Sequence, residues 1–250
     1  MHRSIPARLA ALVLIAGLPG ATIAASAPPT AGTGALPASA RLEYATTATM
    51  QWMGLPLTLR GHTVMTWKFD GTHYDAQLRI DRVGFTQHSE GRLQADGALA
   101  PERYTEKRPF HHPDAVMLDW ARGQVRFGGA TSHPAPKPGA QDRLSVQFEF
   151  ARRMERNAQA FHPGDRDPIR LIGTHDVDDW KFTVGPAETV GTGLGAMPTI
   201  HLSARRPAGR VEETMDIWLG AKTRWLPVRI RIVDRNGSVI DSVLQTASIH

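Results

Sequence analysis

The chain has no cysteine in 250 residues. That excludes disulfides, thiolate metal sites, a thiol nucleophile and lipid attachment to a cysteine behind a leader. An excess of one charge sign is missing too. Two of the 29 Lys and Arg residues, Arg3 and Arg8, fall in the first 25 residues, which leaves 27 basic side chains against 24 acidic ones. So small a surplus, without any Lys/Arg block, leaves no electrostatic footprint for nucleic acid. Beyond Leu18 no apolar run is long enough to anchor the chain in a bilayer. A disulfide-free exported domain must rest on its hydrophobic core, which this length permits.

What is present begins with a leader pattern. His2, Arg3 and Arg8 precede an apolar stretch from Leu9 to Leu18, and Pro19-Gly20 then gives way to small residues at Ala21, Thr22, Ala24 and Ala25. Residues 1–25 are therefore expected to be a cleaved signal peptide, and the protein to be periplasmic. Residues 26–40, rich in Pro, Ala, Gly, Ser and Thr, are expected to form a disordered spacer. A single β-rich domain is expected over 41–250.

The domain is patterned with a period of two. Tyr74, Ala76, Leu78 and Ile80 alternate with Asp75, Gln77 and Arg79; Met215, Ile217 and Leu219 alternate with Asp216 and Trp218; Val228, Ile230 and Ile232 alternate with Arg229 and Arg231. Such alternation predicts antiparallel sheet with one face buried. Asp70-Gly71, Asp96-Gly97 and Asn236-Gly237 supply hairpin turns. Gly61, inside the long run from Leu57 to Phe69, predicts a bulge or bend. Gly128 to Gly139 reads as a Pro/Gly loop. Residues 141–157 break the pattern: Leu144, Phe148 and Ala151 recur at helical spacing, Asp142 is a candidate N-cap, and Arg152, Arg153 and Arg156 crowd the far end. The expected fold is all-β and mainly antiparallel, a curled meander or an open or closed β-barrel, with one inserted amphipathic helix.

Three segments carry a family likeness: Pro138-Gly-Ala-Gln-Asp-Arg-Leu-Ser145, Glu188 to His201, and Ile217-Trp-Leu with Trp225-Leu-Pro-Val-Arg-Ile230. Together they resemble an exported Gram-negative family known as domain of unknown function 3108. The resemblance implies a leader followed by a β-rich domain from about Arg41 onward, and no activity. The family pattern has Pro where this chain has Gly193, a difference expected to touch turn geometry only.

The chemistry-bearing residues form no coherent catalytic set. Asp176, Asp178 and Asp179 lack the Gly and the distal Glu of a calcium loop and read as a solvated turn. His111-His112 with Asp114, and His175 with Asp176, lack metal-site spacing and read as loop histidines. Ser145 lies outside any nucleophile elbow, and Gly191-x-Gly193-x-Gly195 lacks the strand–turn–helix context of a phosphate loop. No cofactor and no metal site is expected. Six tryptophans stand out, at 52, 67, 120, 180, 218 and 225. If the sheet curls, Trp67, Trp180, Trp218 and Trp225, with Arg229 and Arg231, are the residues expected to meet an apolar or anionic ligand. The expected role is a non-catalytic binding or scaffold protein for a lipid-like ligand or an envelope partner. The alternative is an envelope hydrolase assembled from dispersed residues such as His111, His175 and Asp176.

Overall fold

The computed structural model describes residues 36–52, 55–128, 131–134, 138–206, 213–234 and 236–250. The leader, residues 26–35 of the spacer and the Trp52 side chain lie outside them. Alternation becomes a single sheet of fifteen strands. The first eight are β1 (Ser39–Trp52), β2 (Leu55–Phe69), β3 (His73–Ile80), β4 (Phe85–Leu93), β5 (Leu99–Lys107), β6 (Asp114–Asp119), β7 (Gln124–Phe127) and β8 (Thr131–Pro134). After β9 (Gln141–Asp142) comes helix α1 (Ser145–Asn157). Then follow β10 (Arg166–Ile172), β11 (Val177–Thr192), β12 (Gly195–Arg205), β13 (Thr214–Gly220), β14 (Pro227–Val233) and β15 (Val239–Ile249).

The strand order is 8-7-6-5-4-3-2-1-15-14-13-12-11-10-9. Two meanders thus meet at a central seam, where β1 pairs with β15 from Ala40↔Ile249 to Thr49↔Val239. Among the described residues only β9 and β10 pair in parallel, and β8 and β9 end the sheet unpaired with each other, so it is open. The sheet curls because one helix touches both halves. Phe148 stacks on Trp67 of β2 at 4.4 Å, Phe150 meets Phe182 of β11 at 4.8 Å, and Glu149 accepts the backbone N–H of Leu99 in β5 at 3.1 Å. Residues Ser145 to Arg152 are all buried. For two turns α1 is therefore an interior rod, and its amphipathic character is confined to the last turn, where Arg153, Glu155 and Arg156 emerge.

Several boundaries differ from the sequence expectation for physical reasons. The described fold includes residues ahead of Arg41: Leu36 and Ala40 are buried and the Pro37 carbonyl accepts the Trp67 indole N–H at 2.9 Å. Gly61 makes no bulge, because β1 and β2 keep register through it. It instead permits the close approach of the Asp81 carbonyl, 2.9 Å from where a Cβ would sit. The expected loop Gly128 to Gly139 contains β8. Trp180 and Val190 lie on one long strand, β11, which continues past Gly185-Pro186 with a register shift between Val184 and Ala187. Asp142 does cap the helix start, from two residues before the formal cap Leu144, by accepting the N–H groups of Leu144 and Ser145 at 2.8 Å each.

Candidate functional site

The two ends of α1 differ in kind. At its N-terminal end sits the segment Gln141 to Ser145. β9 and most of the first turn are buried, and their polar groups find partners except the amide oxygens of Gln141 and Gln147. The Gln141 amide donates to the Leu99 carbonyl at 2.7 Å, and the Ser89 hydroxyl donates to Asp142 at 2.5 Å. Ser145 Oγ accepts the N–H of Asp142 at 2.9 Å. This short segment therefore stitches β4 and β5 to β10 across the open edge of the sheet. Burial pushes the Asp142 carboxyl up to about 6 despite the hydrogen bonds it accepts.

Arg143 reaches the other way. Its guanidinium grips Glu213 through both oxygens, stands 3.9 Å from Asp176 and lies 5.8 Å from the Trp180 ring centre. Arg206, also buried, binds Glu213, Asp176 and Asp178. Two guanidiniums thus face three carboxylates, leaving one net negative charge in a largely buried place. Asp179 pairs with Arg170 at 2.7 Å and 2.8 Å. The acidic cluster at 176–179 is therefore an ion-paired joint, not a solvated turn. Close by, burial raises Glu106, but Arg108 at 2.7 Å and the Tyr104 hydroxyl at 2.8 Å outweigh it and hold that carboxyl below its ordinary value.

At the C-terminal end lies a cleft of about 530 Å³ between α1, β10, β11 and β12. Its floor is Phe150, Phe182, Val184 and Leu202, and Phe161 forms a wall. Arg153 lies over Phe150 and Phe161, 5.3 Å and 5.5 Å from their ring centres, and pairs with Asp167. Arg156 and Arg166 stand at the rim, exposed, and neither has an ion-pair partner among the described residues. Part of this arginine density answers the partial negative charge of the helix end. Arg166, on β10, does not belong to that helix.

The tryptophans singled out in the sequence separate into three settings. Trp67 and Trp180 are buried core side chains, 1% and 2% exposed. Trp225 sits in the turn before β14 with a left-handed backbone (φ 58°) and donates its N–H to the Gly220 carbonyl at 2.9 Å. Trp218 lies on the outer face with Arg229 and Arg231, as its parity requires. The His201 ring stacks on it at 4.3 Å, the Arg229 guanidinium lies 4.6 Å from its ring centre, and its N–H donates to Glu188 at 2.7 Å. Arg229 is held by both oxygens of Asp241, and Arg231 is 3.9 Å from Asp216. This cross-strand ladder satisfies its own charges. His111, His175 and Asp176 do not meet: His175 bonds Asp114 at 3.1 Å on the surface, while Asp176 turns to Arg206. The cleft residues escape sequence analysis because Phe150 and Arg153 of α1, Arg166 of β10 and Leu202 of β12 converge from three separate elements. The available signal is the Arg152-Arg153…Arg156 run beside aromatics.

An open antiparallel sheet wound round a buried helix defines the class, a β-barrel-like domain. The chain belongs to the family described as a protein of unknown function, DUF3108, whose model matches residues 47–244. Among solved structures it is similar to the β-barrel-like protein of domain of unknown function DUF1849 from Brucella abortus. The TM-score is 0.57 at 12% identity, over 86% of this chain and 99% of that one, a likeness of fold alone. A DUF1329 family protein from Desulfovibrio piger aligns over 86% of this chain and 87% of its own at 12% identity, but with a TM-score of 0.28 it carries no argument. No functionally curated protein matches. Among the described residues, no helix is long and apolar enough to cross a membrane.

Proposed function

We propose that the protein is a periplasmic binding protein that holds an anionic amphiphile at the C-terminal end of α1. The observation that supports this is the joining of an aromatic floor to unpaired guanidiniums in one cleft of about 530 Å³, a size in the usual range for small-ligand sites. The chemistry suits a carboxylate or phosphate head on an apolar tail. The head binds Arg156 and Arg166 by charge-assisted hydrogen bonds. Phe150 and Phe182 have no exposure, so the tail reaches them only when Arg153 swings off their edge. A head group that competes with Asp167 for Arg153 supplies that movement. Arg229 and Arg231 on the outer face are retained as a secondary surface for an envelope partner, with Trp218 and Trp225 buried beneath it as supports.

The test is calorimetric titration with palmitate and, in parallel, with uncharged monopalmitoylglycerol, alongside native mass spectrometry of protein purified from the envelope fraction. Palmitate is expected to bind and monopalmitoylglycerol to bind at least tenfold more weakly. Arg156→Glu with Arg166→Glu is expected to erase that preference. Equal binding of both probes, or a preference that survives charge reversal, overturns the reading.

A further inference from the structure

On the outer face of the other half-sheet, three metal-ligating side chains converge. Strand periodicity places them: His88 and Glu90 are two apart on β4 and so share a face, and Asp75 on β3 is the register partner of Glu90. The His88 Nε2 lies 2.8 Å from Asp75 Oδ2 and 3.8 Å from Glu90 Oε1, and one donor atom from each residue falls within 4.8 Å of the others. A divalent ion about 2.0–2.2 Å from each donor needs donors about 3–3.5 Å apart, so the observed separations straddle the required spacing. The second oxygen of each carboxylate is held from outside the group. The Gln77 amide donates to Asp75 Oδ1 at 3.0 Å, and Arg103 stands 3.7 Å from Glu90 Oε2. These contacts leave Asp75 Oδ2 and Glu90 Oε1 directed at the imidazole, the orienting role that outer partners play at metal sites. Asp75 and Glu90 also wall an open groove of about 600 Å³ that carries Asp70, His73 and Glu102 against Lys68.

We propose that Asp75, His88 and Glu90 form a divalent-metal site with one nitrogen and two carboxylate ligands. The donor set suits Zn²⁺, Co²⁺ or Mn²⁺ better than Ca²⁺ or Mg²⁺, which favour all-oxygen shells. Three protein ligands on a flat strand pair leave coordination positions open to water or to a ligand lying in the groove. The site is on β3 and β4, away from the cleft at α1, and stands independently of the amphiphile reading.

The test uses the full chain. Zn²⁺ alone is titrated calorimetrically, and Co²⁺ is followed by its visible absorption. One saturable equivalent is expected, lost in His88→Gln and weakened at least tenfold in both Asp75→Asn and Glu90→Gln, without competition from Mg²⁺. His175→Gln, at a separate surface His–Asp pair with Asp114, is expected to change nothing. Circular dichroism confirms folding, which these outer-face substitutions leave intact. Absence of a saturable Zn²⁺ site, or a site that survives His88→Gln and Glu90→Gln, overturns the proposal.

Discussion

Both ends of α1 are crowded with arginine, yet they do opposite things with it. At the N-terminal end Arg143 and Arg206 are enclosed by Glu213, Asp176 and Asp178, so their charge is spent inside the fold. At the C-terminal end Arg156 and Arg166 face water beside an aromatic floor. The contrast teaches that guanidinium count says little about binding. What matters is whether the carboxylates that could silence each guanidinium are folded against it. One of the segments that carry the family likeness, Gln141 to Ser145, lies at the silent end and is architectural.

Three substitutions sharpen this comparison, in falling order of effect. Arg143→Ala leaves Arg206 alone against the three carboxylates Glu213, Asp176 and Asp178 and is expected to cost about 3–5 kcal/mol of stability. Urea unfolding measures it, and Arg143→Ala with Glu213→Gln should recover part of the loss. A cost below about 1 kcal/mol would mean the joint is solvated after all.

Asp142→Asn tests the neighbouring carboxyl through pH. Its folded value of about 6 lies above the ordinary 3.8, so the folded state holds the proton more tightly than the unfolded chain. That contribution is complete below about pH 4 and is lost as pH rises through about 6, amounting to about 3 kcal/mol. Glu106 and Asp216, whose values are lowered, act in the opposite sense. The difference between wild type and Asp142→Asn isolates Asp142. That difference should shrink steadily from pH 4 to pH 7; a flat difference contradicts the assignment. The smallest effect is at the open end. Arg156→Glu with Arg166→Glu is expected to change unfolding stability by no more than about 1 kcal/mol, because exposed arginines without an ion-pair partner among the described residues contribute little beyond the helix-end interaction of Arg156.

Where a strand buries one face, the sequence is legible: Tyr74, Ala76, Leu78 and Ile80 are buried as their alternation requires. Short or doubly covered pieces are not. β9 has two residues and no pattern to detect. β11 is interrupted to the eye by Gly185-Pro186, yet its ladder continues with a shifted register. Gly193 shows the same limit. Its N–H donates to the Leu244 carbonyl at 2.8 Å, and a Cβ there would lie 2.6 Å from the Gln245 carbonyl oxygen. A side chain at position 193 therefore bears on packing against β15 and not on the turn alone. The clasp and the cleft were both hidden for one reason: Arg143 and Glu213 are 70 residues apart, and no local period reports such a pairing.

The central seam has a consequence for how the molecule is made. Thr46 and Ser242, 196 residues apart, share a hydroxyl contact at 2.9 Å across β1 and β15. A chain synthesised amino end first presents β1 with its neighbour on one side only, and keeps it so until almost everything else has been made. Contacts so distant along the chain form slowly. During that interval the bare strand is a template for stray pairing. A holding chaperone would find its target there.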